Sequence, residues 1–290
     1  MSSIDVVVRH TGAAPITRRH PSLLDATRWE LTKLRAQLRA RVALLLCLLA
    51  PIAAVIVVHG QGRPPKDTLF GRYVHESGFA VPLLILGFAA QWLLPLLTAV
   101  VAGDIFASED QHGTWKTVLT RSASRAQIFW AKTFTALLFA VTGLVVLAAS
   151  TIVTSVLVVG HQDLVGLTGQ MIPSGRAAGL VIASWATALA PLIGFTCLAI
   201  LLSVRTRNPA FGIAAPVVLG MVMTLVGSLG GVEAIRPVLL TTPFESWHGL
   251  LAEHQFFSPL VTGLLVSAGW AIACLAAAFV SLRRADITEG

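Results

Sequence analysis

FAVPLLILGFAAQWLLPLLTAVVA, residues 79–102, carries no Asp, Glu, Lys, Arg or His. As a helix rising 1.5 Å per residue it would extend about 36 Å, enough for the roughly 30 Å hydrocarbon core of a bilayer. A surface helix of a soluble domain shows a solvated face over that length, and this run has none. It reads as a membrane span. Gln91, Pro95 and Thr98 stand out within it. An amide at lipid depth points to a partner or a wet cavity, with a hydrogen bond between helices as the plainer alternative, and Pro95 can kink the helix.

Working outward, the pattern repeats at about 42–58, 126–159, 177–202, 210–231 and 259–282, and no Asp or Glu falls in any of these cores. That absence fits the cost of ions at lipid depth. Six spans make the expected fold an all-α integral membrane protein, with a transmembrane domain over 42–282. Composition agrees: 55% of the chain is hydrophobic and 12% charged, against about 25% charged in soluble domains, and the mean hydropathy is +0.78. The third run would reach about 51 Å as a helix, too long for one hydrocarbon crossing. Its first two turns, with Gln127 and Lys132, are therefore expected to project from the bilayer. Ser124 and Gln127 form an S-x-x-Q capping box at its start. Cys47, Cys197 and Cys274 lie inside spans and read as small hydrophobes, with no disulfide framework or metal spacing.

The net charge of +7 does not imply nucleic acid, because the basic residues flank spans and no recognition motif accompanies them. Residues 1–41, 103–132, 203–209 and 283–290 hold 16 Arg and Lys, against five in 59–78, 160–176 and 232–258. Positive residues stay inside, so both termini are expected in the cytoplasm, which an even number of spans permits. Arginine in excess of lysine, beside abundant Ala, Val and Gly, suggests a GC-rich bacterial genome and hence a multi-pass protein of the bacterial cytoplasmic (inner) membrane. Residues 1–21 lack periodicity and read as a disordered cytoplasmic tail, as 283–290 reads as a second tail. Between them and the first span, residues 22–41 read as an amphipathic interfacial helix attracted to membrane lipid. Leu24, Leu31, Leu34 and Leu38 share one stripe, Arg28, Arg35 and Arg39 lie elsewhere, and Ser22 with Asp25 gives an S-x-x-D cap.

The longest polar insertion on the basic side is GDIFASEDQHGTWKTVLTRSASRAQIFWAK, residues 103–132. Trp115, Val118 and Leu119 fall at i, i+3 and i+4, an apolar ridge suited to a partner's groove. Gly113 can let the backbone turn and Thr114 can cap the next turn. Glu109, Asp110, Lys116, Arg121 and Arg125 can supply polar contacts at the rim. A bland alternative is an amphipathic helix lying on the bilayer. The chain contains no G-x-x-x-x-G-K-[ST], no G-x-S-x-G and no H-E-x-x-H, so no catalytic, cofactor-binding or metal site is expected.

Glu109, Gly113, Thr114, Leu119, Arg121, Ser124, Arg125 and Lys132 follow the order and spacing of the loop in permease subunits of type-2 ABC transporters, which this chain resembles. The resemblance implies a cytoplasmic coupling helix between spans two and three. It also implies separate cytoplasmic ABC ATP-binding subunits that hold ATP and Mg, and a second permease copy as a homodimer or heterodimer. Export of a drug, antibiotic, peptide or lipid-like substrate would be the activity, along a path lined by spans two and five. A secondary transporter or a membrane-embedded enzyme is the alternative, and each would need ionisable groups that the span cores lack.

Span five adds a second candidate set. Gly212, Pro216, Gly220, Thr224 and Ser228 recur every four residues, and small stripes allow close helix approach in lipid. Packing within the chain, a permease interface and the translocation path are the readings open to them. In the segment 232–258, Glu245 and His248 lie three apart, but Trp247, Phe256 and Phe257 suggest a helix in the outer interface rather than a metal site.

Overall fold

The computed structural model describes residues 22–61, 68–111 and 124–284. The expected tail before residue 22, most of the one after 282, and residues 112–123 of the polar loop lie outside the described residues. Among the described residues six helices are long and apolar enough to cross a membrane: Leu38–Gly60, Ala80–Glu109, Arg125–Val158, Ser174–Thr206, Pro209–Ser228 and Ser258–Arg284. They are called here the first to sixth spans. The chain is an all-α membrane protein.

The lead-in helix α1, Leu23–Ala36, starts at a complete capping box in which the Ser22 hydroxyl accepts from Asp25 N–H and the Asp25 carboxylate accepts from Ser22 N–H. This satisfies two of the four orphan donors of a helix N-terminus. The structure corrects the single helix expected over 22–41. Gln37 is extended and separates α1 from the first span, which begins at Leu38. Arg41 Nε donates to the Arg35 carbonyl at 2.6 Å and so satisfies an orphan acceptor at the end of α1. The face of α1 turned to the protein holds Glu30 and Leu34, whereas Leu24 and Leu38 are largely exposed. The apolar stripe therefore does not set the rotation of α1; Glu30 and its partners do.

Two spans are interrupted, each by proline chemistry. The second contains a wide π turn, Ala89–Leu93, in which Leu94 N–H reaches back to the Ala89 carbonyl. Pro95 follows, and with no N–H it cannot bond the Gln91 carbonyl four residues back, so the helix widens there. The fourth breaks at Ala188 into Ser174–Thr187 and Leu189–Thr206. Pro191 leaves the Thr187 carbonyl without its helical partner, which weakens the ladder at the break. The third span is one continuous helix of 34 residues, capped by the Ser124–Gln127 box. Between the fourth and fifth spans, Arg207 takes a left-handed conformation (φ 51°), and Asn208 Oδ1 accepts from Ala210 N–H at 2.9 Å to cap the fifth.

The fourth span is the most enclosed, with Leu192, Phe195, Cys197, Ala199 and Ile200 fully buried, while the first, fifth and sixth present many exposed Leu, Val, Ile and Phe side chains. In a membrane protein such exposure faces lipid or a further subunit rather than water. Hydrogen bonds fix which ends meet. At one end Lys33 Nζ lies 2.6 Å from Glu109, Arg125 Nη1 donates to the Arg283 carbonyl at 3.3 Å, and Arg205 reaches Ser281 at 3.4 Å. This is the basic end. At the opposite end Ser77 donates to the Gln162 carbonyl, and a two-stranded hairpin pairs Leu164–Val165 with Met171–Ile172. The hairpin docks through Leu167 N–H and the Gln170 amide on the Leu251 carbonyl.

The segment expected to lie in the interface near Trp247 folds inward instead. Thr242–Leu250 is a 3₁₀ helix with Phe244, Trp247 and Leu250 buried, and Trp247 packs against Phe70 with ring centroids 6.0 Å apart. Phe256 and Phe257 remain half exposed. The cysteines are free and buried.

Candidate functional site

Two features concentrate polar chemistry in this apolar fold. The first is at the basic end, where the second span runs into residues 103–109. Lys132, fully buried one turn and more inside the third span, donates to Glu30 Oε2 at 3.1 Å, to Glu109 Oε1 at 3.0 Å and to the Ile105 carbonyl at 3.0 Å. All three of its donors are used. Lys33 approaches Glu109 Oε1 at 2.6 Å and Glu30 Oε1 at 3.7 Å, and its ammonium sits 4.7 Å from the Trp29 ring centroid. Among the described residues two carboxylates thus meet two ammonium groups, and their charges offset one another. Such a cluster contributes little beyond a well-packed apolar equivalent, but removing one member strands a charge in low dielectric.

Further contacts fasten the same segment. Arg39 of the first span pairs with Asp104. Ser203 of the fourth span accepts from Phe106 N–H and Ala107 N–H at 3.2 and 3.1 Å, which caps the short helix Ala107–Gln111. Gly103 meets Gly212 of the fifth span so closely that a Cβ on either would overlap the carbonyl of the other. Residues 103–109 are therefore held by α1 and by the first, third, fourth and fifth spans.

Glu109, which the sequence places at a polar rim, is turned inward and buried. Asp110 belongs to the short helix Ala107–Gln111. Gly113, Thr114, Trp115, Lys116, Val118, Leu119 and Arg121 lie outside the described residues. Arg125 begins the third span and ties it to the sixth. The sequence does not single out Glu30, Lys33, Arg39, Asp104 or Ser203. One signal was available: Glu30 precedes Leu34 by four residues and so shares its face, and an acid on an inward face calls for a cation.

The second feature is a cavity of about 370 Å³ at the opposite end, between the second and fifth spans and residues 236–248. It brings together three of the eight residues proposed for the path or interface: Gln91, Thr224 and Ser228. Gln91 stands on the π turn. Pro95, Thr98, Gly212, Pro216 and Gly220 do not line the cavity. Thr98 donates to the Pro95 carbonyl at 2.8 Å. Gly220 lets Phe195 and Pro95 approach, and Gly212 makes the crossing with Gly103. Pro216 is buried within the fifth span. The cavity also takes in Arg236, Glu245 and His248. Arg236 pairs with Glu245 at 3.3 Å. Burial pushes the His248 imidazole below its ordinary pKa, with Glu245 opposing that shift, so His248 offers the cavity a neutral ring.

Six spans, with residues 103–109 held by α1 and four of them, define a polytopic membrane protein. The chain matches the family model described as ABC-2 family transporter protein over residues 27–227. It belongs to that family and is a membrane component of an ABC transporter. Membership implies association with ABC ATP-binding subunits. No curated protein matches the chain. The matched range takes in most of α1, the ion cluster and nearly all of the fifth span; it stops short of residues 236–248 and the sixth span.

Proposed function

We propose that this chain is the permease of an ATP-driven exporter, working as a pair of permeases on two cytoplasmic ATP-binding subunits, with the basic end in the cytosol of a bacterial inner membrane. The observation that carries the reading is the fastening of residues 103–109 to α1 and four spans. A partner that grips residues 112–123 pulls on a root that cannot move alone. Glu109 passes that displacement to Lys132 and the third span, and to α1 through Lys33. Gly103 passes it to the fifth span. ATP and Mg bind in the partner subunits, whose closure supplies the work. Gly113, Thr114, Trp115, Lys116, Val118, Leu119 and Arg121 make the partner contact in this scheme, with Asp110 and Arg125 at its margins. The transported molecule is a drug, antibiotic, peptide or lipid-like compound.

The chain purified alone is expected to hydrolyse no ATP, and co-expressed with its cognate ATP-binding subunit it should co-purify with it and gain hydrolysis. Transport by the chain with no partner ATPase would end this reading. Orientation has its own test. Single cysteines at Ser124 and Glu253, both exposed, are introduced after the native three are replaced. In sealed cells an impermeant thiol reagent should modify position 253 and spare position 124. The reverse pattern would place the basic end outside.

A further inference from the structure

The cavity at the end away from the ion cluster has walls of two kinds. Phe88, Phe244 and Trp247 contribute aromatic surface, and Gln91 contributes an amide. The Gln91 side chain has no hydrogen-bond partner among the described residues, and the π turn before Pro95 carries it. Near it, Arg236 and Glu245 form an ion pair with side chains 53% and 57% exposed. An exposed pair of this kind contributes little to stability, because solvent screens it and both side chains lose freedom. Its members can therefore exchange one partner for another at small cost. The volume, about 370 Å³, is at the small end of ligand sites, which run from about 300 to 1,000 Å³.

Charge decides what can enter. An anion would satisfy Arg236 and leave Glu245 facing it; a cation would do the opposite. Either leaves one ion unpaired in a site that the ligand has partly dried, which costs more than the surface pair was worth. An uncharged apolar ligand would make no use of either ion. A ligand carrying both signs meets both ions and keeps the site neutral. We propose that this cavity binds a zwitterionic amphiphile, its anionic group on Arg236, its cationic group on Glu245, and its apolar part against Phe88, Phe244 and Trp247. Residues 236–248 fall outside the matched family range. That the bound molecule is also the transported one rests on the exporter reading above; the binding does not.

The test uses the full chain in nanodiscs of phosphatidylglycerol, whose headgroup is not zwitterionic. Three water-soluble probes share one short photoreactive alkyl chain and end in phosphocholine, phosphate or trimethylammonium. The phosphocholine probe should label peptides of the cavity wall more than either single-sign probe, by about tenfold or more, the factor for one lost charge-assisted contact. Arg236→Gln and Glu245→Gln should each lower that labelling to the level of the single-sign probes. The exchanged pair Arg236→Glu with Glu245→Arg should recover it, which guards against loss of fold in the single variants. Diacyl phosphatidylcholine added to the nanodisc assigns the source. Displacement of the label means a bilayer lipid occupies the site, and no displacement means a soluble amphiphile does; the recognition chemistry is the same in both. Equal labelling by the three probes, or labelling indifferent to Arg236 and Glu245, would overturn the proposal. No ATPase is present, so that failure would leave the coupling reading standing, and failure to co-purify an ATPase would leave this one standing.

Discussion

Lys132→Met is expected to destabilise the purified chain by about 3–5 kcal/mol, the cost of removing one partner from a buried ion pair. Met is close in length and fills the same space, so the loss is electrostatic rather than a cavity. Glu30 and Glu109 would both lose the ammonium that joins them. The Ile105 carbonyl would lose its donor as well. The double variant Glu30→Gln with Lys132→Met removes one charge of each sign and so returns the cluster to its original net charge. It should recover a large part of the loss, as coupled neighbours do in a mutant cycle. The midpoint of unfolding in a strong detergent reads both variants beside wild type. A Lys132→Met protein as stable as wild type would mean that the cluster is dispensable to the fold.

The second large effect is at the crossing of the second and fifth spans. Gly212→Val places a Cβ where the Gly103 carbonyl stands, and Gly103→Val does the converse. The obstacle is backbone, so no rotamer change relieves it and the helices must part. Overpacking typically costs about 1–3 kcal/mol and more where nothing can yield. Here the parting also displaces the segment that carries Asp104 and Glu109. Gly212→Val should therefore lower both the folded yield and the recovery of the ATP-binding partner. Gly269→Ala is the control: a Cβ there meets nothing within 4 Å, and the added helix propensity should leave the yield unchanged or raise it. If Gly212→Val matches Gly269→Ala in yield and partner recovery, the crossing does not constrain the molecule.

Hydropathy made the six spans legible because a chain in lipid must hide every backbone group inside long apolar helices. Local chemistry was legible too: both capping boxes form, and Pro95 disturbs the second span as its missing N–H requires. What the sequence conceals depends on contacts between distant residues. Leu38 follows Leu34 by four positions, so the stripe runs on past Gln37, and only the Arg41–Arg35 bond and the extended Gln37 mark the break. Glu109 resembles a rim residue until α1 brings Lys33 and Glu30 against it from more than 70 positions away. Trp247 has the composition of an interfacial anchor, yet Phe70 and the inward 3₁₀ helix claim it. The cavity was half legible. Gln91, Thr224 and Ser228 were marked as polar or small residues at depth, but Arg236 and Glu245 joined them only through the fold of 236–248.

The claim at the centre is that residues 103–109 transmit events at the ATP-binding subunits to the spans. Gln91→Cys reports on this directly, because position 91 lies in the cavity at the far end from the ion cluster. In the complex with its ATP-binding subunits, trapping by ATP, Mg and vanadate should change the rate at which a thiol reagent modifies Cys at position 91. With Lys132→Met added, the complex should still hydrolyse ATP while that change in rate is reduced, because the Gly103–Gly212 route to the fifth span remains. A rate unaltered by trapping in the otherwise wild-type complex, or altered equally with and without Lys132, would contradict the account.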